Sequence, residues 1–99
     1  MRLANFKCTP KAIRLQAGRP AVLRLVNTAG GSHDFTAPEF FAAAHIKADH
    51  RGFIRNGSVE IPSGQAREIA LLPKAGRYKV KCTHTMHKML GMSGEILVR

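Results

Sequence analysis

Apolar and polar residues alternate over short runs along most of the chain, and glycine, proline and asparagine separate these runs. Alternation with a period of two is typical of strands that bury one face, and many short strands favour an all-β sandwich. We expect about seven to eight strands. The clearest candidates cover residues 3–8, 12–16, 21–27, 58–61, 66–72, 77–82 and 94–98. The dipeptide Asn56-Gly57 is typical of a tight hairpin turn.

One stretch departs from this alternation and predicts a short helix near residues 37–45. Thr36 lies three residues before Glu39, which is the spacing of a capping box, and Pro38 suits the first helical turn. Residues 46–57 mix charged residues with glycine and predict a loop, with a short strand around Phe53–Arg55 as an open alternative.

The 99 residues suffice for one domain, so we expect a single domain over residues 1–99. The sequence contains no apolar run of the length that a membrane span requires, which predicts a soluble chain without a transmembrane segment. The first residues lack the apolar core of a signal peptide. We therefore expect the numbering to begin at a mature start.

Basic residues outnumber acidic ones by 16 to six, which gives a formal charge of +10. Such a charge attracts acidic proteins, anionic membranes or nucleic acid over long distances. Because neither a recognition helix nor interleaved exposed aromatics is apparent, we do not expect nucleic-acid binding. A simpler explanation stays open, in which basic residues occupy the solvated faces of strands, as Arg77, Lys79 and Lys81 do beside apolar neighbours.

The strongest chemical signal lies in residues 82–92, where Cys82, His87 and Met92 follow one another with four residues between successive members. One thiolate, one imidazole and one weak thioether, completed by a second histidine from elsewhere, suit a blue-copper electron-transfer site. His33, which follows a Gly-Gly turn, is the candidate second histidine. Coordination needs a thiolate and neutral imidazoles, so copper affinity should fall in acid.

Each of these residues also has an ordinary structural explanation. His33 alone would suit a surface turn, Met92 alone would suit the core, and Cys82 could be a buried, inert thiol. Cys8 follows an apolar residue at strand period and is interpreted as a small buried residue. A disulfide between Cys8 and Cys82 is the rival interpretation, because two cysteines permit pairing as well as metal ligation.

Several of these segments together resemble the cupredoxins, the blue copper proteins that include plastocyanin, azurin and pseudoazurin. The resemblance rests on Asn27-Thr-Ala-Gly-Gly-Ser-His33-Asp-Phe, on Gly76-Arg-Tyr-Lys-Val-Lys-Cys82, and on the residues His87, Gly91-Met92 and Gly94. It spans nearly the whole chain and implies a Greek-key β-sandwich with one type 1 copper ion. The implied ligands are His33, Cys82, His87 and Met92.

Other residues of the loop leave alternatives open. The family's spacing favours His87 over His84, which is interpreted either as an exposed residue or as an auxiliary copper ligand. Met86 and Met89 face the same choice, because thioethers bind Cu(I) and also pack adaptably. Met89 is the alternative axial ligand, although Gly91-Met92-Ser-Gly94 fits the family pattern better.

The resemblance also implies residues that orient the ligands. The backbone N–H of Asp34 is expected to donate to the ligand sulfur, and Asn27 is expected to tie the two ligand loops together. The family often has asparagine where this chain has Asp34. That residue is equally well explained as a solvated turn acid.

The leading functional hypothesis is a one-electron carrier that cycles between Cu(II) and Cu(I), with no catalysed reaction and an acidic redox partner. The second is a copper carrier or resistance protein, motivated by the extra residues His84, Met86 and Met89. A third, a basic nucleic-acid-binding domain, would make the ligand set a coincidence. The resemblance implies an exported, periplasmic protein, and we expect a monomer.

Overall fold

A computed structural model gives the fold of residues 1–99. It describes the backbone of residues 1–4, 7–84 and 87–99, and the side chains of residues 1, 3, 10–82 and 93–99. Predictions that concern other residues lie outside this described part.

The described residues form two sheets that pack face to face, which confirms the predicted all-β sandwich. The first sheet has the strand order β2-β1-β4-β9-β6, and the second has the order β3-β11-β10-β5-β8-β7. Most pairings are antiparallel, but β1 runs parallel to β4 and β3 runs parallel to β11. The strands are β1 (Arg2–Ala4), β2 (Lys7–Thr9), β3 (Ala12–Leu15), β4 (Ala21–Asn27), β5 (His33–Thr36), β6 (His45–Ile46), β7 (Ile54–Arg55), β8 (Ser58–Ile61), β9 (Ala66–Leu72), β10 (Gly76–His84) and β11 (His87–Val98).

Three of the predicted strands, β4, β8 and β9, have the predicted bounds, because β8 alternates between buried and accessible positions throughout and β4 and β9 do so over residues 22–27 and 68–72. The predicted strand over residues 3–8 is instead two strands, β1 and β2, which pair antiparallel with each other. No strand was predicted at β5, where the sequence His-Asp-Phe-Thr contains only one strongly apolar residue. The number of strands is higher than the predicted seven or eight, because strands of two or three residues leave little alternation in the sequence.

The tight turn at Asn56-Gly57 is confirmed. Both residues have positive φ, 51° and 74°, as a two-residue hairpin turn requires, and they connect β7 to β8. A side chain at Gly57 would come within 2.5 Å of the Pro38 backbone, so the turn also needs glycine to fit against the helix.

The predicted helix is present as α1 (Pro38–Ala43), with Pro38 in its first turn. The predicted capping box is wrong, since the N-cap is Ala37 and makes no side-chain hydrogen bond. Thr36 belongs to β5 instead, and its hydroxyl lies 2.8 Å from that of Ser58 on β8. The loop predicted over residues 46–57 is also wrong in part, because residues 48–53 form a 3₁₀ helix (Ala48–Phe53). The short strand considered around Phe53–Arg55 is present as β7.

The core lies between the sheets and is closed on one side by α1. The rings of Phe40 and Phe41 on α1 meet edge to face, with centroids 5.5 Å apart, and Phe40 meets Tyr78 in the same way at 5.4 Å. Phe41 also contacts Phe35 on β5 at 6.0 Å. Because these aromatic contacts join α1 to β5 and β10, they fix the helix beside the two strands that carry His33 and Cys82.

Candidate metal centre

His33 is the first residue of β5, and its side chain lies in the interior. The strand alternates between buried and half-buried positions, so His33 and Phe35 point inward. Only 3% of the His33 surface is exposed, and both ring nitrogens are shielded from solvent. Because bulk water does not cover the ring nitrogens, a metal ion could bind this imidazole directly.

The turn before His33 is held by the buried side chain of Asn27. The Asn27 Nδ2 atom donates to the carbonyls of Gly31 and Ile61, each at 2.8 Å, and Oδ1 accepts from the Ala29 N–H at 2.8 Å. Both donor hydrogens and the acceptor are thereby engaged. Asn27 therefore ties the turn to the end of β8. The expected link from Asn27 to the second ligand loop is not among these hydrogen bonds.

Further hydrogen bonds hold the same turn. The Ser63 hydroxyl donates to the Ala29 carbonyl at 2.6 Å, and the Thr28 N–H donates to the Leu3 carbonyl at 2.9 Å. The turn is thus attached to β1 as well as to the segment after β8. Because backbone groups on several elements fix it, the position of His33 is set by the fold rather than by a free loop.

Cys82 lies on β10, between β5 and β11, with only 4% of its surface exposed. The ladder places its Cα opposite that of Phe35 on one side and that of Met92 on the other. The sequence pattern predicts strands over residues 77–82 and 94–98 with a loop between them. The structure instead continues both strands, β10 to His84 and β11 from His87, with a register shift between Cys82 and His84.

The register gathers all four predicted ligand positions on two rows of the second sheet, which are separated by the pairing of Asp34 with Thr83. One row crosses the strands through His33, His84 and His87, and the other passes through Phe35, Cys82 and Met92. Opposed residues in an antiparallel ladder have Cβ atoms about 5 Å apart. The side chains of residues 83–92 lie outside the described part, so this juxtaposition concerns backbone positions for His84, His87 and Met92.

Cys82 is disulfide-bonded in this structure. Cys8 is the other cysteine in the sequence, its backbone belongs to β2, and its side chain lies outside the described residues. The structure therefore has Cys82 in a disulfide, and its pairing with Cys8 stays a prediction. A sulfur in a disulfide is not a thiolate, so Cys82 can act as a copper ligand only after reduction.

Met1 is a neighbour of Cys82 that sequence analysis did not identify. Its Sδ atom lies 3.9 Å from Cys82 Sγ, and the Met1 carbonyl accepts from the Val26 N–H at 2.8 Å, which extends the pairing beside β4. Its amino group donates to the Arg24 carbonyl. Burial and the nearby charge of Arg24 lower the pKa of this amine from 8.0. A methionine at the start of a chain carries no periodic signal that could have identified this contact.

Asp34 lies opposite Thr83 on one side and Glu60 on the other, one position along β5 from the pairing of Phe35 with Cys82. It is half-buried. This position is compatible with a backbone donor near the Cys82 sulfur, and that role stays a prediction. Met86 lies outside the described residues, and Met89 is described only as a backbone position on β11.

Taken as a donor set, the residues fit copper in the reduced protein. A buried imidazole and a buried cysteine on adjacent strands supply one nitrogen and one soft sulfur, which is the combination that copper favours over harder cations. Among the described side chains, no three of His, Cys, Asp or Glu come together as a metal cluster. Two of the four predicted ligands, His87 and Met92, lie within residues 83–92, whose side chains are outside the described part.

The chain belongs to the plastocyanin/azurin family of copper-binding proteins, whose family model matches residues 2–99. This confirms the resemblance that the sequence motifs indicate. No curated protein sequence matches the chain.

Solved cupredoxin structures share the fold over nearly the whole chain. Dithionite-reduced auracyanin from the photosynthetic bacterium Roseiflexus castenholzii has a TM-score of 0.68 at 16% identity, over 99% of this chain and 94% of that one. An oxidized amicyanin variant has a TM-score of 0.59 at 16% identity, over 99% and 78%. A purple cupredoxin from Nitrosopumilus maritimus gives 0.53 at 14% identity, over 92% and 80%. At these identities, the likeness concerns the fold alone.

Within the described residues, the two helices are each a few residues long, and neither could cross a bilayer.

Proposed function

We propose that the protein is a one-electron carrier that binds one type 1 copper ion through His33, Cys82, His87 and Met92. The observation that carries this proposal is the strand register, which brings these four positions onto two rows of one sheet, two residues apart along β5 and β10, in a chain of the copper-binding family. Copper bound by such a set supplies reversible exchange of a single electron between Cu(II) and Cu(I).

The protein's own contribution is a frame that holds the ligands while the charge at the site changes. Asn27 fixes the turn before His33, and β5 and β11 hold Cys82 from both sides. Ligands held on paired strands move little, because moving one would break ladder hydrogen bonds on both of its neighbours. This rigidity favours electron transfer, and no group in the arrangement is required to act on a substrate.

The surface charge supports an acidic redox partner. Arg77, Lys79 and Lys81 are exposed along the outer face of β10, and this basic row leads towards the end of the sheet that carries Cys82. Long-range attraction along such a row raises the rate of encounter with an acidic surface. We further propose that the protein works as a single-domain monomer in the periplasm, the compartment that the cupredoxin resemblance implies.

Copper loading of the reduced protein tests the ligand assignment. Reduced protein loaded with Cu(I) and then oxidised by ferricyanide should acquire an intense visible thiolate-to-copper band, which His33→Ala and Cys82→Ser should abolish. His45→Ala is the matched control, because His45 is exposed on β6, away from the predicted ligand positions. Absence of the band in fully reduced, copper-loaded wild type would refute a type 1 site.

The register of His84 favours copper delivery as a second candidate function. Its backbone lies between those of His33 and His87, so a further nitrogen ligand is available along the same row. A carrier that passes copper to an acceptor would use such a ligand during transfer. More than one tightly bound copper per chain, with the second lost in His84→Ala, would support delivery, whereas one slowly exchanging copper would support electron transfer.

A further inference from the structure

We infer that Cys82 serves two mutually exclusive states, a disulfide with Cys8 and a copper-binding thiolate, so that reduction of the disulfide controls copper uptake. The inference rests on the proposed function, because it takes Cys82 as the copper ligand. The structure has Cys82 in the disulfide state, and Cys8 is the only partner that the sequence offers within one chain.

The backbone register brings β2 and β10 to the same part of the sandwich. Cys8 lies opposite Leu3 in the β1–β2 ladder, and Leu3 is completely buried and lies opposite Asn27 on β4. Two residues before Leu3, the Met1 sulfur touches Cys82 Sγ. The inner side of β1 therefore faces β10, and β2 is the next strand beyond it. A disulfide from Cys82 to β2 thus joins the two sheets at the end that carries the predicted metal centre.

The exclusion follows from the bonding of sulfur. In the disulfide, Cys82 Sγ shares a covalent bond and carries no charge, so it lacks the strong donor character of a thiolate. The oxidised protein keeps His33 but loses the one soft anionic ligand of the set. Its affinity for Cu(I) should therefore fall by more than about 100-fold, since even disturbing the groups around a metal ligand costs 10- to 100-fold.

Reduction requires a dithiol, such as the paired cysteines of a protein thiol reductase. The two thiols of the reductant give two electrons and two protons to the Cys8–Cys82 disulfide, which becomes two thiols while the reductant becomes a disulfide. Cys82 then loses its proton on binding copper. In the reverse direction, an oxidised dithiol protein accepts the two electrons and two protons and restores the disulfide.

The inference makes Cys8 a controlling residue rather than a small filler of the core. Cys8→Ser leaves Cys82 without a partner, so this variant should bind copper without prior reduction. Cys82→Ser is its matched control, because it also removes the disulfide and leaves one cysteine, but it removes the predicted ligand. The two variants therefore separate loss of the disulfide from loss of the thiolate.

The test measures titratable thiols and Cu(I) affinity for wild type, untreated or reduced by a phosphine that is then removed. Thiols are counted in denaturant, and Cu(I) is titrated without oxygen against a chromophoric chelator, which avoids oxidation of thiols by Cu(II). Untreated wild type should show no titratable thiol and weak Cu(I) binding. Reduced wild type should show two thiols and tight binding, and Cys8→Ser should show one thiol and tight binding without reductant.

Two results would overturn the switch while leaving the proposed function intact: equal Cu(I) affinity before and after reduction, or two free thiols in untreated protein. If reduced wild type and Cys8→Ser bind Cu(I) no better than Cys82→Ser, both the switch and the proposed copper site fail. Because reduced wild type carries no substitution, the test remains decisive even if Cys8→Ser does not fold.

Discussion

His33 and Cys82, the two predicted ligands whose side chains the structure describes, are held in different ways. The turn before His33 is fixed by a saturated hydrogen-bond network around Asn27, and the imidazole is buried. Cys82 is equally buried, but its chemistry depends on a covalent bond that can be made or broken. One predicted ligand is prearranged by packing and hydrogen bonds, and we propose that the availability of the other depends on redox state.

This difference means that the two sides of the site contribute differently to folding stability and to the control of copper binding. The His33 side contributes to the free energy of folding through neutral hydrogen bonds that respond little to the environment. The Cys82 side contributes through a cross-link that also blocks the predicted ligand. The oxidised protein should therefore be the more stable apoprotein, and the reduced protein should be the one that copper stabilises.

The largest effect should come from removing the disulfide. Because the loop that it closes spans most of the chain, reduction or Cys8→Ser should lower the free energy of unfolding by about 4 kcal/mol in the chain-entropy account. Denaturant unfolding of untreated and reduced protein measures this difference. Cys8→Ser serves as its own control, since adding reductant to it should change nothing. Equal stability of oxidised and reduced wild type would contradict the prediction.

Disrupting the other side of the comparison should cost nearly as much. Asn27→Ala leaves the buried N–H of Ala29 and the carbonyls of Gly31 and Ile61 without their partner, which should lower the free energy of unfolding by about 3 kcal/mol. The loss should be similar in oxidised and reduced protein. Gln16→Ala, at an exposed position, should change stability little. A loss confined to one redox state would show that the two sides are coupled.

Copper should discriminate between the two redox states. At free Cu(I) of about 100 times its dissociation constant, the reduced protein should gain about 2.7 kcal/mol in unfolding free energy, since copper binds the folded state. The disulfide form should gain almost nothing at the same concentration. Unfolding curves with and without Cu(I), recorded under anaerobic conditions, measure both gains. Equal stabilisation of the two forms would mean that copper binding does not require the Cys82 thiolate.

The smallest effect concerns a single hydrogen bond in the His33 turn. Ser63→Ala removes the donor to the Ala29 carbonyl and should cost about 1 kcal/mol while leaving Asn27 in place. Cu(I) affinity of the reduced variant should then match that of wild type. Ser93→Ala, at an exposed position on β11, controls for loss of a serine hydroxyl. If Ser63→Ala cost as much as Asn27→Ala, the turn would depend on the whole network rather than mainly on Asn27.

The pattern of apolar and polar residues predicts strands accurately where one face of a strand packs in the core and the other meets solvent. The bounds of β4, β8 and β9 follow from this alternation, and the turn at Asn56-Gly57 follows from the positive φ angles that those residues tolerate. It failed for β5, whose first residue is a buried histidine rather than an apolar one. The capping box failed because the Thr36 hydroxyl finds its partner across the sheet, on Ser58.

The sequence by itself determined the fold class, the copper-binding family and the set of ligand candidates, because alternation, turn residues and motif spacing are local properties of the chain. Only the tertiary structure decided that His33 begins a strand beside Cys82, and that Cys82 is bonded to another cysteine. Both facts depend on contacts between residues far apart in the sequence. Such contacts arise from the packing of two sheets, which no local pattern encodes.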